Sequence, residues 1–493
     1  MTPFKNKTIL QILDKYKDLW ALSYVGGVTH WDMETYMPQK GIGVRGEAMA
    51  RISTIRQKMF LDPAFANLIA SAGKAKDLND SERAIVRTLN RTLKFYEKLP
   101  PKFLEEFEKV TNNAHPLWRE AKEKNKFDLF APSLTKIFDL NKKMAGYLGY
   151  KDSPYDALLD QYEEELTSRT VQSFFDEIRE PLKGLVSKIT SSSKYQKDLP
   201  LETAKYDKEK MKLLNDKVLK FLWSEFGDNF RLDVSAHPFT TSFSKHDTRI
   251  TTWYHDTDFA RSLLATVHEF GHALYDLQCS DDLEMTPVQG GSSLVIHESQ
   301  SRFWENFVGR SESFVKKFKK DFDAVVGSPS SVSDYLMYFN KVSPSLLRVE
   351  ADEVTYHFHI MLRFEIEKGL IEGKLKVKDL PEIWSAKMNE YMGMTPKSDS
   401  SGVLQDIHWS SGMVGYFPTY SLGTFLGAQW EQGMNVECRM ENVESIKQTL
   451  KDKIHKYGST YTLEDLLKKN KMKFDPKVNL NYLEKKYSKI YGF

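Results

Sequence analysis

Two histidines flank a glutamate in His268-Glu269-Phe270-Gly271-His272, and this spacing constrains the chain more than any other feature. The motif lies in a stretch where Leu263, Val267, Phe270, Leu274 and Leu277 recur at three- and four-residue steps, which predicts a core-facing helix. Residues i and i+4 of a helix stand one turn apart on one face, so both imidazoles can reach a single metal ion, of which zinc suits the donor type. Glu269 lies about 100° around the same turn, within reach of a water held by that ion. A second pair, His297-Glu298, stands in the apolar-rich run Ser292 to Val308, at a separation that suits an antiparallel neighbouring helix. Glu298 is then the third ligand, and Arg302 and Glu305 share its helical face. Two histidines, a carboxylate and an open fourth position describe a hydrolytic centre and not a structural clip. Asp276, one turn beyond His272, is placed to accept the free ring N–H of that histidine, and Asp256 or Asp258 could cap the helix. With 12 histidines in 493 residues, a chance H-E-x-x-H arises on the order of a few times per hundred such chains. The apolar setting argues against the plainer reading of surface-exposed ion pairs.

Composition narrows the rest. Hydrophobic residues at 41% and aromatics at 13% are ample for a large core. A net charge of +2 from 70 basic and 68 acidic residues implies no polyanion partner, so no nucleic acid is expected. Two cysteines, Cys279 and Cys438, are too few for a disulfide framework. The N-terminal stretch through Thr8 lacks the apolar core of a signal peptide, and no run of about 18 apolar residues exists to span a membrane. A cytoplasmic location is expected.

Helical periodicity dominates elsewhere, in Val171–Ile189, Asp207–Phe226, Ser333–Lys341 and Leu346–Gly369. Loops are expected at 152–155, 191–195, 327–331 and 396–402. The one strand region is Phe239–Phe243 with Thr248–Tyr254, a hairpin turning at Asp247 just ahead of the HEFGH helix. Such a hairpin would wall a cleft and could take an extended peptide as an added strand.

Further short motifs appear in a fixed order: His237-Pro-Phe239, Asp247-Thr-Arg249-Ile-Thr251, HEFGH, HESQS, Arg348-Val-Glu-Ala-Asp352, and Gly402-Val-Leu-Gln405-Asp406-Ile-His408-Trp409. Together with Trp31-Asp-Met-Glu-Thr-Tyr-Met-Pro38 and Tyr155-Asp-Ala-Leu-Leu-Asp160, the series resembles the thermostable (Taq-type) carboxypeptidase family of zinc metallopeptidases across nearly the whole chain. One departure follows Asp160, where Gln-Tyr-Glu-Glu-Glu-Leu-Thr stands in place of a Pro-Gly turn, remote in sequence from the metal motif. The resemblance implies a mainly α, elongated single fold with a deep central groove and a small antiparallel β element beside the zinc helix. Its expected parts are residues 1–235, a helical N-terminal half forming one groove wall; 236–430, the catalytic zinc-binding region; and 431–493, a C-terminal helical segment. It also implies a homodimer that removes the C-terminal residue from peptides with broad tolerance. One zinc per chain is implied, and cobalt could substitute for it.

By that resemblance His268, His272 and Glu298 match the metal ligands and Glu269 the general base, while the segments around His237, Arg249, Arg348, Asp352 and His408 match regions that bind substrate or shape the site. Zinc brings the pKa of its water toward about 7, so a base such as Glu269 can complete its deprotonation near neutrality. Tyr420 is favoured over Tyr416 as donor to the developing oxyanion, the alternative for either being a wall aromatic. Arg348 offers the planar fork that grips a free carboxylate, unless it bridges to Asp352 one turn away. His408 could bond the substrate backbone or cap a loop, and for Arg249 a structural pair with Asp247 or a nearby acid is weighed ahead of substrate binding. An endo-oligopeptidase or peptidyl-dipeptidase is the nearest rival chemistry. The amine-binding segment of an aminopeptidase is absent, and a vestigial peptide-binding protein would have lost Glu269 or Glu298.

Overall fold

Helices make up most of the regular structure in the computed structural model, which describes residues 4–202, 204–434 and 438–493. Three of the four periodic segments fold close to expectation, as Ser168–Thr190, Lys208–Leu222 and Val332–Phe339. The fourth starts late. Arg348–Glu350 is a short 3-10 turn, and the helix proper runs Tyr356–Ile371. The expected loop at 152–155 is a helix start instead: Ser153 caps Pro154–Leu159 with its hydroxyl, and proline occupies the first turn, where no backbone N–H is required.

The expected hairpin forms, but within a larger, mixed sheet. Strands β1 (Phe230–Val234), β2 (Thr240–Ser244) and β3 (Asp247–Thr252) lie in the order β1-β3-β2. β2 and β3 pair antiparallel as expected, whereas β1, whose Phe-Arg-Leu-Asp-Val alternates apolar and polar but lies outside the expected strand region, pairs parallel to β3. Asp247 opens β3, and the turn itself falls at Lys245-His246. Thr251 staples this sheet to the HPF turn, its hydroxyl lying 2.7 Å from the Ser235 hydroxyl and accepting the Phe239 N–H at 3.0 Å.

The chain gathers into two compact units built from interleaved segments. One comprises Met1–Glu97, Asp198–Phe339 and Gly427–Phe474; the other comprises Lys98–Lys197, Asn340–Leu426 and Asp475–Phe493. The region 236–430 is therefore divided, with the HEFGH and HESQS motifs in the first unit and residues 340–426 in the second. In the first unit the HEFGH helix, Phe259–Leu277, packs on β2, β3, the helix Lys208–Leu222 and the HESQS helix, Leu294–Arg302. Its predicted stripe Leu263, Val267, Phe270, Leu274 and Leu277 is wholly buried, worth roughly 1.5–3 kcal/mol per side chain. Asp258 is the cap, accepting the Arg261 N–H at 3.0 Å. In the second unit the helix Tyr356–Ile371 is buried along nearly its whole length against Ala131–Leu148, Pro154–Leu159 and Leu380–Met392. Among the described residues no helix is long and apolar enough to cross a membrane.

Candidate metal centre and catalytic residues

The glycine inside HEFGH decides how closely the two motif helices approach. A Cβ at Gly271 would fall 2.5 Å from the Gln300 carbonyl oxygen and 2.6 Å from the Ser301 Cα, so only glycine lets the HESQS backbone lie against this helix. That approach brings Glu298 over the two histidines. Glu298 Oε2 lies 3.4 Å from His272 Nε2 and 3.7 Å from His268 Nε2. Donors arranged tetrahedrally around an ion at about 2.0–2.1 Å lie roughly 3.3 Å apart, so the trio fits one zinc-sized ion. It is the one such cluster among the described residues.

Each of the three candidate ligands is held from behind. After Arg302 the HESQS helix widens into a π-helical segment, Phe303–Gly309, which carries Glu305. Glu305 Oε2 accepts from His268 Nδ1 and pairs with Arg302, both at 2.9 Å, while Oε1 pairs with Arg310 at 2.9 Å. Arg302 also donates to Glu298 Oε1 at 2.7 Å, leaving Oε2 turned to the histidines. Burial would raise the Glu298 pKa, but Arg302, His268 and His272 prevail and hold it down at about 2. Burial also presses both imidazoles toward their neutral form. At His268 the carboxylates of Glu298 and Glu305 outweigh it and the pKa is raised; at His272 burial wins and the pKa is lowered. Carboxylates that are ionised and histidines that are part-buried and oriented form a ready donor set for a divalent metal.

Glu269 is buried beside the pair, and its orientation is set by a residue that sequence reasoning missed. The Thr240 hydroxyl, at the start of β2, donates to Glu269 Oε2 at 2.6 Å and lies 3.1 Å from the Glu269 carbonyl oxygen. Only the packing of the sheet on the helix joins positions 29 residues apart. Asp276 does not reach His272 as expected. His297 intervenes: its Nδ1 lies 2.8 Å from His272 Nδ1, and its Nε2 lies 3.7 Å from Asp276 Oδ1, which accepts the Gly291 N–H at 2.8 Å. The one-turn spacing was right for direction, but the HESQS helix inserts a ring into the gap.

The second unit holds the other predicted residues. Arg348 is buried and pairs with Asp406, Nε to Oδ1 at 2.9 Å, not with Asp352. Its Nη1 donates to the Tyr356 hydroxyl at 2.9 Å, and its guanidinium stacks 5.3 Å from the Tyr420 ring. No partner for Nη2 exists among the described residues. Asp352 instead accepts backbone N–H groups of Ser343, Val354 and Thr355, each at 2.9 Å, ordering the turn before the helix. Arg363, not anticipated, is fully buried and donates through Nε to Asp406 Oδ2 at 2.7 Å. The two guanidinium groups overcome burial and hold the Asp406 carboxyl far below the usual range. His408 Nε2 meets the Tyr420 hydroxyl at 3.2 Å, and Tyr416 packs 5.2 Å from Tyr420. Tyr416 also packs edge-on to Tyr162, at 5.3 Å, so the atypical stretch after Asp160 adjoins a candidate catalytic tyrosine despite its remoteness in sequence. That stretch turns without glycine through Glu165, at φ 65°, whose N–H is taken by Asp160 at 2.8 Å.

The two remaining residues expected to bind substrate lie in the first unit. Arg249 is locked bidentately to Asp247, both contacts at 2.8 Å, and lies 4.4 Å over the Trp31 ring, which is the structural alternative. His237 is exposed in the bend between β1 and β2, where its carbonyl accepts the Ser235 hydroxyl at 2.5 Å.

The model of the family described as "Carboxypeptidase Taq (M32) metallopeptidase" matches residues 11–487. The chain is 45% identical over 475 residues to thermostable carboxypeptidase 1 of Pyrococcus furiosus, covering 94% of this chain and 95% of that one. It is 34% identical to carboxypeptidase 1 of Bacillus subtilis, covering 98% of each. A solved structure of the Pyrococcus furiosus carboxypeptidase superposes with a TM-score of 0.94 at 43% identity, over 98% of this chain and 99% of that chain. These likenesses select peptidase chemistry at a C-terminus over the endo-oligopeptidase reading of the same zinc motif. The chain belongs to the carboxypeptidase Taq (M32) family of metallopeptidases and is a metallocarboxypeptidase.

Proposed function

We propose that this metallocarboxypeptidase holds one zinc ion through His268, His272 and Glu298 and hydrolyses the last bond of peptides with a free C-terminus, with Glu269 as general base. The observation that carries the reading is the convergence of His268 Nε2, His272 Nε2 and Glu298 Oε2 beside a carboxylate already oriented by Thr240. A divalent metal bound there acts as a Lewis acid, polarising the scissile carbonyl and making water acidic enough to lose its proton near neutrality. Glu269 Oε1, free of partners among the described residues, takes that proton, since Oε2 is engaged by Thr240. The same carboxyl then returns it to the leaving amine. Arg348 is assigned to the substrate carboxylate: it offers a free Nη2, and among the described residues Asp406 is the one carboxylate paired with it and with Arg363, which leaves one positive charge in excess. Tyr420, backed by His408, is assigned to the oxyanion, with Tyr416 as the alternative. A cytoplasmic homodimer of broad specificity, with cobalt able to replace zinc, completes the proposal.

A peptide with a free C-terminus and its C-terminally amidated twin, incubated with the enzyme and read by mass spectrometry, test it. Sequential loss of single C-terminal residues from the free peptide alone, abolished by a chelator and restored by zinc or cobalt, is expected. Internal cleavage of both peptides, or activity that survives complete metal removal, would overturn it.

A further inference from the structure

The two metal-site histidines are backed differently. His268 Nδ1 faces a carboxylate, Glu305, which can only accept when ionised. His272 Nδ1 faces another imidazole nitrogen, Nδ1 of His297, at 2.8 Å. Two such nitrogens in contact must divide the roles of donor and acceptor. If His272 offers the Nε2 lone pair toward a metal, the proton of its neutral ring sits on Nδ1 and is donated to His297. The acceptor lone pair of His297 is then on Nδ1, and its own proton sits on Nε2, facing Asp276 Oδ1 across 3.7 Å, a charge–dipole contact longer than a direct hydrogen bond.

The loop ahead of the HESQS helix is shaped around this arrangement. A Cβ on Gly291 would fall 2.5 Å from His297 Cδ2, 2.6 Å from its Nε2 and 2.8 Å from Tyr275 Cδ1. The Gly291 N–H holds Asp276 at 2.8 Å, and the Ser292 N–H holds the Tyr275 hydroxyl at 3.1 Å. Tyr275 packs on the His297 ring with centroids 5.2 Å apart. The ring is therefore fixed by a carboxylate, an aromatic face and a glycine that leaves room for it.

We propose that His297 is a positioning residue for the metal centre: by accepting from His272 Nδ1–H, and with its own Nε2–H directed at Asp276, it sets the tautomer and ring orientation that present His272 Nε2 to the ion. The inference rests on the assignment of His268, His272 and Glu298 as the metal site. It distinguishes His297 from a packing residue, because what it supplies is an acceptor and not volume.

Zinc affinity, measured on the metal-stripped full chain by competition with a chromogenic chelator, tests the idea without reference to turnover. His297→Phe keeps a ring but removes the acceptor, and should weaken zinc binding about 10- to 100-fold. His297→Gln, whose amide oxygen can accept, should recover a large part of that loss, and Gly291→Ala, which displaces the His297 ring, should lower affinity in the same direction. Thermal midpoints of the metal-free variants show whether each is folded. Zinc affinity of His297→Phe within about threefold of wild type, or His297→Gln no better than His297→Phe, would overturn the role of His297. Failure of the parent assignment looks different: wild type would not take up stoichiometric zinc, or Glu298→Ala would bind it as tightly as wild type.

Discussion

Replacing Thr240 with valine deletes one hydroxyl and preserves shape and β-branching, so the strand that carries it should pair as before. What disappears is the 2.6 Å hydrogen bond to Glu269 Oε2. A hydrogen bond to a charged group is worth roughly 1.5–3 kcal/mol, and here the carboxylate is only 7% exposed, so water cannot fully replace the lost donor. The bond holds Glu269 so that its other oxygen is free for the proton of the attacking water. If the whole of that energy is expressed in the barrier to proton transfer, turnover falls about 10- to 150-fold. KM should change little, because the hydroxyl is assigned no contact with substrate, and zinc content should stay at one per chain. Thr240→Ser retains the donor and should recover most of kcat. Steady-state kinetics on a free-ended peptide, with elemental analysis of the same preparations, give all three quantities. A kcat for Thr240→Val within about threefold of wild type would refute the reasoning, and so would equal losses for the valine and serine variants.

Glu269→Gln should keep the metal and the fold while kcat drops at least about 10²-fold, whereas Glu298→Ala should lose metal affinity itself; the opposite pattern in elemental analysis would reverse their roles. Arg348→Ala should cost roughly 2–5 kcal/mol in kcat/KM on free-ended peptides, some 30- to several-thousand-fold, and almost nothing on amidated ones, since Arg363 still holds Asp406. Equal losses on both substrates would make Arg348 part of the scaffold. In the metal-free protein, Glu298 sits at about 2 against an ordinary 4.5, because Arg302 and the two histidines outweigh burial. A depressed carboxyl contributes stability that is present above its unfolded value and lost as pH falls toward its folded one, here roughly 3 kcal/mol between about pH 4.5 and pH 2. Urea unfolding over that range should show wild type losing more stability than Glu298→Gln, and parallel curves would contradict it.

The proposed metal ligands were legible because helical geometry converts spacing directly into position: His268 and His272 are one turn apart wherever the helix lies, and the apolar stripe around them identifies the helix. The hairpin was legible for a similar reason, through β-branched residues on both sides of a polar turn. The third strand was less so: Phe230-Arg-Leu-Asp-Val234 alternates apolar and polar over only five residues, and its parallel pairing to β3 is a long-range contact. Glu298 was found from its motif, but what seats it over the histidines is Gly271, whose need is visible only once the Gln300 carbonyl is seen 2.5 Å from where a Cβ would be. Partners were the least legible. Sequence distance offered Asp352 to Arg348 and Asp276 to His272, each one turn away if the helix continued. Tertiary packing gave Arg348 to Asp406, 58 residues on, because the chain at 348–350 is a 3-10 turn and not the helix that the spacing assumed. The same packing placed His297 between Asp276 and His272. Motif spacing and periodicity thus determined which residues are proposed to bind the metal, while the folded structure alone decided which groups hold them in place, because hydrogen-bond partners are chosen by proximity in space and a chain brought together from interleaved segments does not display that proximity along its length.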